Sequence, residues 1–313
     1  MAQLLALVEK HLGAQFDGVV EWLRDQNGLD DIEQRLRAGD IRGVVQSIDD
    51  AALKFAAETH ASFVHAAQTA SSWLNDQVPD ALVRFDTNVP NVVAAAQQNQ
   101  LEWVTDMRQE TREVVHQILV DGARTNANPR EMARDIRDSI GLTGQQESAV
   151  RSYRAALESQ DWSNALGREL SSGHSDRTIA AARAADKALT QQQIDLAVER
   201  YRQAQVQARA VTIARTEALR NVHAGADAAF QQAIDRGDVS AEELEGQWNP
   251  GPNTRYARPD HRATELTEQR PAYGEPFQMP DGTQMMRPGD PAGGPDNVIN
   301  CRCTKSVRYR AAA

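Results

Sequence analysis

Three residues of this chain have types and spacing that could do chemistry: Cys301, Cys303 and His261. The two cysteines are the only ones present. On an extended strand, residues i and i+2 point to the same face, so both thiols would share one side. Two thiolates there can chelate one ion, and an imidazole can supply a third ligand. Zinc, the ion such donors suit, takes four ligands, so the fourth would be water or an acid such as Asp260 or Asp290. The alternative is plain packing: two buried cysteines pin a small sheet and His261 bonds to backbone. A Cys–His nucleophile is disfavoured, because no third residue that would orient the histidine stands out. Arg302 lies between the cysteines and points the opposite way, as a surface contact.

The stretch that must position these groups runs from Trp248 to Cys303. It also carries Tyr256, Tyr273 and Phe277, and nine of the twelve prolines lie beyond residue 248. That composition predicts short strands joined by turns, with helix confined to about 259–267. Met279-Pro280-Asp281-Gly282 reads as a turn, and Asn297 to Val307 as a closing strand.

Everything upstream reads as helix. Leu4, Leu7, Val8, Leu12, Phe16, Val19 and Leu23 recur at three- and four-residue steps and predict a helix over 2–26, ended by Asn27-Gly28. Asp30 with Glu33 resembles an N-cap for a short second helix, and Asp40 caps a third running towards Trp73. Pro79 and Pro90 interrupt the pattern before it resumes over 92–121. Asn128-Pro129-Arg130-Glu131 and Thr143-Gly144-Gln145-Gln146 open two further helices, and Asp176 caps one over 177–188. Thr190-Gln191-Gln192-Gln193 then opens a long helix over about 190–236. Its stripe is mostly small: Ile194, Ala197, Tyr201, Ala204, Ala208, Val211, Ala214, Ala218, Val222, Gly225 and Ala229. A small stripe demands close approach of its partner. Ser240 with Glu243 starts one last short helix.

The expected architecture is therefore mainly α, with long helices in an elongated helical region and a small, loop-rich α+β domain at the C-terminus. The expected divisions are 1–125, 126–245 and 246–313. Charge is distributed unevenly. Residues 246–313 carry nine Lys/Arg against seven Asp/Glu, leaving 25 against 37 in the helical part and a net charge of −10 overall. An acidic chain is a poor wrapper of DNA, which needs excess Lys and Arg. No run of about 18 apolar residues occurs, so no membrane span is expected. Two cysteines are too few for a disulfide framework, which fits a reducing compartment such as a cytoplasm. His60, His65 and His116 read as ordinary helix residues.

Ile213-Ala214-Arg215-Thr216-Glu217, with Asn221 following, resembles the Ile-Ala-Arg-Thr-Glu signature of the Mu F-like head morphogenesis family of phage minor head proteins. Trp248, His261, Phe277, the Arg287-Pro288-Gly289-Asp290-Pro291 turn, Asn297 and Asn300-Cys301-Arg302-Cys303 follow in the family's order. The resemblance covers residues 126–307. The family's Asp-x-Arg-Thr segment is replaced here by Asn253-Thr254-Arg255. The Asp-Gly that follows its histidine is replaced by Leu266-Thr267-Glu268-Gln269-Arg270.

The resemblance implies a virion protein present in few copies, inside the capsid at the portal vertex, made and assembled in the host cytoplasm. It implies the portal protein as partner, with the major capsid or a scaffold protein as further candidates, and no catalysis. Arg302 would then touch portal or DNA, and Arg215 would reach out of its helix to the C-terminal domain. Two other functions stay in view. One is a DNA-binding protein ejected with the genome, and the other a metal-dependent enzyme built on His261, Cys301 and Cys303. Some relatives carry fused toxin or transferase domains, for which six residues after Val307 leave no room.

Overall fold

The computed structural model describes residues 2–26, 28–78, 83–125, 127–251 and 257–310. Asn27, Pro79, Asn253-Thr254-Arg255 and Tyr256 lie outside the described residues, as do the side chains of Leu23, Leu101 and Val104. The fold is mainly α, with a small C-terminal region of short antiparallel strands and loops. Helices α1 (Ala2–Gln26), α2 (Leu29–Arg37), α3 (Ile41–Gln77) and α4 (Pro90–Thr125) come first. They are followed by α5 (Pro129–Ser139), α6 (Gly144–Glu158), α7 (Trp162–Leu166), α8 (Gly173–Ala184) and the 46-residue α9 (Gln191–Arg236).

Caps explain several of these starts. Asn128 and Thr143 each form a full capping box, with Glu131 and with Gln146. Thr190 and Gln193 bond reciprocally at the head of α9, and Asp40 Oδ1 accepts from Gly43 N at 2.9 Å. Two expected caps are corrected. Gly28, not Asp30, is the N-cap of α2, and Asp30 lies in its first turn beside the Arg130 guanidinium. Ser172, not Asp176, caps α8, so that helix begins at Gly173, four residues before the expected start at 177. The hydroxyls of Ser171 and Ser172 draw the helix start forward: Ser172 accepts from Ser175 N, and Ser171 donates to Asp176. Helix α7, capped by Asp161, has no forewarning in the sequence; five residues are too few to show a period.

By contacts, the chain falls into two compact units. One comprises Asp17–Ala52 and Thr105–Ala210. Its core includes Ile32, Val44, Val114, Val115, Ala133 and Ile136. The other comprises Met1–Phe16, Leu53–Val104 and Val211–Ala313, and it holds all three candidate ligands.

In this second unit the C-terminal part of α9 is buried on nearly all sides, from Ala214 to Ala226. The small stripe does mark a close approach. A Cβ added at Gly225 would run into the carbonyl oxygen of Phe63 on α3. Val211, counted in the stripe, is instead 38% exposed, as Leu7 of α1 is at 63%.

Beyond α9 the chain forms a 3-10 turn at Ala241–Glu243 and then β1 (Leu244–Asn249). Short helices α10 (Pro259–Arg262) and α11 (Thr264–Thr267) lead to a hairpin of β2 (Phe277–Gln278) and β3 (Gln284–Met285). Met279 to Gly282 makes its turn, closed by Gly282 N donating to Met279 O at 2.9 Å. Helix α12 (Gly294–Val298) precedes β4 (Thr304–Tyr309), which pairs antiparallel with β1 from Leu244↔Tyr309 to Asn249↔Thr304. The closing strand is thus shorter than the expected 297–307. Pro295 starts a helical turn instead, and Asn300 adopts a left-handed φ of 59° that strand geometry forbids.

The Gly225 contact yields a prediction. Gly225→Ala should lower stability by about 1–3 kcal/mol through overpacking against Phe63. Gly18→Ala, at a helical site with nothing within 4 Å of the new Cβ, should be neutral or stabilising by up to about 1 kcal/mol. Denaturant titration of both variants checks the contrast, and equal effects would contradict the close approach.

Candidate metal centre

His261, Cys301 and Cys303 converge from separate elements. Pro259 at the first position of α10 begins the turn that carries His261. The cysteines lie just before β4, not within it, so strand alternation does not place them on one face. Their backbone anchors do. Asn300 N donates to Thr216 Oγ1 on α9 at 3.0 Å, and Lys305 N donates to His223 Nε2 on the same helix at 3.0 Å. Cys301 and Cys303 sit between these two fixed points.

Both sulfurs reach the same ring nitrogen. Cys301 Sγ lies 3.4 Å and Cys303 Sγ 3.5 Å from His261 Nδ1. Nitrogen and sulfur ligands of one tetrahedral zinc ion stand about 3.5 Å apart, given bonds of roughly 2.0 and 2.3 Å. All three donor atoms lie within 4.8 Å of one another, and the residues are 1–3% exposed. The cluster can therefore bind a metal such as zinc. Two thiolates and a neutral imidazole around a divalent ion sum to zero charge, which suits an apolar cage. Trp248, Leu266, Phe277, Met285 and Val298 form that cage. The Trp248 ring meets His261 edge-on at 5.4 Å and Phe277 at 5.5 Å.

Without an ion the thiols share protons unequally. Donation from Cys303 pulls the Cys301 thiol well down, while bonding to Cys301 and burial push the Cys303 thiol up. The backbone N–H of Gly251 and the nearby Trp248 indole favour a thiolate at Cys303. Gly251 is a glycine because a Cβ there would meet the Arg302 backbone, at 2.7 Å from its oxygen.

Neither expected acid joins the site. Asp290 spends its carboxylate on Met286 N at 2.7 Å and Ala292 N at 3.0 Å, capping a 3-10 turn. Asp260 is exposed on α10. The histidine does have an orienting residue, which the sequence reading missed. His261 Nε2 lies 3.1 Å from Asn297 Oδ1, and Asn297 Nδ2 donates to Asp281 Oδ2 at 2.9 Å. Asn297 and Asp281 are far apart in the chain, so no periodicity connects them.

The motif on α9 meets the same segment. Arg215 donates to Asn300 Oδ1 and pairs with Glu9 at 2.8 Å. Thr216 accepts from Asn300 N and donates to Thr212 O at 2.8 Å. Glu217 is buried, with Arg220 at 3.3 Å, while Arg302 is exposed.

Nearly three turns further along α9 lies a largely buried ionic cluster with no sequence signature. Asp227 accepts from Lys305 Nζ at 3.1 Å, from Tyr273 Oη at 3.1 Å and from Arg287 at 3.3 Å. Burial alone would raise its carboxyl, but the Lys305 and Arg287 charges outweigh this and hold it low. His223 accepts from Lys305 N through Nε2, so its Nδ1 carries the proton and donates to Leu219 O at 3.1 Å. Burial lowers the His223 imidazole to about 4.

No protein-family model, curated protein or solved structure matches the chain.

His223 sets a pH dependence. The unfolded chain binds a proton there near pH 6.5, whereas the folded chain binds it only near pH 4. Stability should therefore fall as pH drops through that window, by about 3 kcal/mol in all. A His223→Gln variant should show a flatter profile from pH 7 to 4.5 in urea titrations. Parallel profiles for both proteins would contradict the assignment.

Proposed function

We propose that this chain is a structural minor head protein of a tailed bacteriophage, of the Mu F-like kind. It acts from inside the head at the portal vertex, in capsid assembly or in packaging and ejection of DNA. The observation that carries the reading is the meeting of its two signature segments. Arg215 and Thr216 of the Ile213–Glu217 motif bond Asn300, the first residue of the Asn300–Cys303 motif, across 84–85 positions of chain. Four further residues of the resemblance, Trp248, Phe277, Cys301 and Cys303, share one core. Residues that recur together in a family's order have a physical reason to do so when they build one clamp.

Within this reading the metal centre is a zinc staple and not a catalyst. Its three donors are almost wholly buried among apolar side chains, which disfavours chemistry on a polar substrate. A small region with few and short strands gains more from such a staple than a thick core would. Its partner is the portal protein, and its own affinity for DNA is low. The excess of 37 Asp/Glu over 25 Lys/Arg in residues 1–245 repels a duplex wherever charges approach within the Debye length, about 8 Å at physiological salt.

Two measurements test this. Co-expressed with the portal protein of its phage, the chain should co-elute with it on gel filtration in moderate salt. Separate elution, with steeply salt-dependent binding to duplex DNA, would favour the genome-binding alternative. The purified chain should also contain about one equivalent of zinc, and its removal by a chelator should lower the melting temperature. A Cys301→Ser, Cys303→Ser double variant should melt at the lowered temperature from the start. Identical melting with and without chelator would leave only the packing role for the cysteines.

A further inference from the structure

We infer that Asp281 and Asn297 form the outer shell of the metal centre and dictate which nitrogen of His261 binds the ion, given the reading that His261, Cys301 and Cys303 hold a divalent ion.

The chain of bonds starts at the turn between β2 and β3. Asp281 is exposed, and its Oδ1 accepts from Thr283 N at 2.8 Å. Bonds from Asn297 and Thr283 hold its carboxyl below the usual range, so at neutral pH it is ionised. An ionised carboxylate can only accept. The Asn297 atom 2.9 Å from Asp281 Oδ2 must therefore be the amide nitrogen. That choice leaves Asn297 Oδ1 facing His261 Nε2 at 3.1 Å. An amide oxygen can only accept, so Nε2 must carry the ring proton. The lone pair of the neutral ring then sits on Nδ1, the atom 3.4 and 3.5 Å from the two sulfurs. Three acceptor–donor choices in sequence, beginning at a surface carboxylate, thus aim one lone pair at the ion.

Neither residue touches the ion, so both are positioning residues. Without Asp281 the amide of Asn297 is free to turn over. Its NH2 would then face Nε2, draw the lone pair to that nitrogen, and put the proton on Nδ1, where it blocks ligation. Outer-shell partners of a metal-bound histidine typically change affinity 10- to 100-fold. Asn297 is 7% exposed, whereas Asp281 lies in an exposed turn whose replacement leaves the core untouched.

The test uses the full chain, stripped of metal and titrated with Co2+, then with Zn2+ against a chromophoric chelator. Wild-type protein should develop thiolate-to-cobalt absorption at one equivalent. Asn297→Ala and Asp281→Ala should each bind Zn2+ about 10- to 100-fold more weakly, with unchanged helix content by circular dichroism. The decisive variant exchanges the two residues, Asn297→Asp with Asp281→Asn. It keeps the charge and restores the chain of bonds. The carboxylate now at position 297 can accept from Nε2–H, while the amide now at position 281 donates to that carboxylate. Its affinity should return to within about threefold of wild type. Ring-nitrogen NMR of the zinc-loaded chain should show metal on Nδ1 and a proton on Nε2. Wild-type affinity in both alanine variants, or metal on Nε2, overturns the outer-shell role while the centre stands. No cobalt or zinc binding by the wild type overturns the centre and this inference together.

Discussion

A helix that is buried on nearly all sides cannot leave its polar side chains unpaired. The C-terminal part of α9 carries Thr216, Glu217, Asn221 and His223 into the interior, with Asp227 one turn beyond. Each buried donor or acceptor left without a partner costs about 1–3 kcal/mol, and a charged one more. Part of that demand is met within α9, where Arg220 pairs with Glu217 and Asn221 donates to Glu217 O, and another part by one segment, residues 300–305. Asn300 serves Thr216 and Arg215, and Lys305 serves His223 with its backbone and Asp227 with its ammonium group. Tyr273 and Arg287 complete the shell around Asp227.

The clustering of the candidate ligands follows from that docking. Pinned at both ends, the segment from Asn300 to Lys305 holds its two thiols against His261 without help from a regular strand. The left-handed backbone at Asn300 is part of the same device, since asparagine tolerates that conformation better than most side chains. It turns the chain out of α12 so that its N–H meets the helix. On the far side, the apolar cage of Trp248, Phe277 and Leu266 leaves the sulfurs and the imidazole with each other as principal partners. Two thiolates and a neutral imidazole so placed would reach electrical neutrality with a divalent ion.

Much of the fold was legible, for reasons that differ by element. Long helices announce themselves through period and caps, and Asn128, Thr143 and Thr190 did so through reciprocal side-chain bonds. The smallness of the α9 stripe foretold close packing at Gly225, although not that the helix would be enclosed all round. Val211 shows the limit, because an apolar residue in register with a stripe can still face solvent. The three candidate ligands were legible from residue type alone, but the reason they converge was not. Strand alternation was the wrong mechanism, and the right one depends on Thr216 and His223, more than 80 positions away. The resemblance singles out Asn297, but its bond to His261 and the part of Asp281 were hidden for the same reason: contacts between distant turns leave no spacing to read. The acids Asp260 and Asp290 were drawn in by chemistry, and geometry removed them, one to the surface and one to a cap.

The docking of residues 300–305 onto α9 holds the site together, and amide hydrogen exchange reads that docking residue by residue. The N–H groups of Asn300 and Lys305, bonded to Thr216 Oγ1 and His223 Nε2, should exchange only with global unfolding, on the timescale of the α9 amides themselves. Exchange of these two amides at the rate of a solvent-exposed loop, while α9 stays protected, would contradict it.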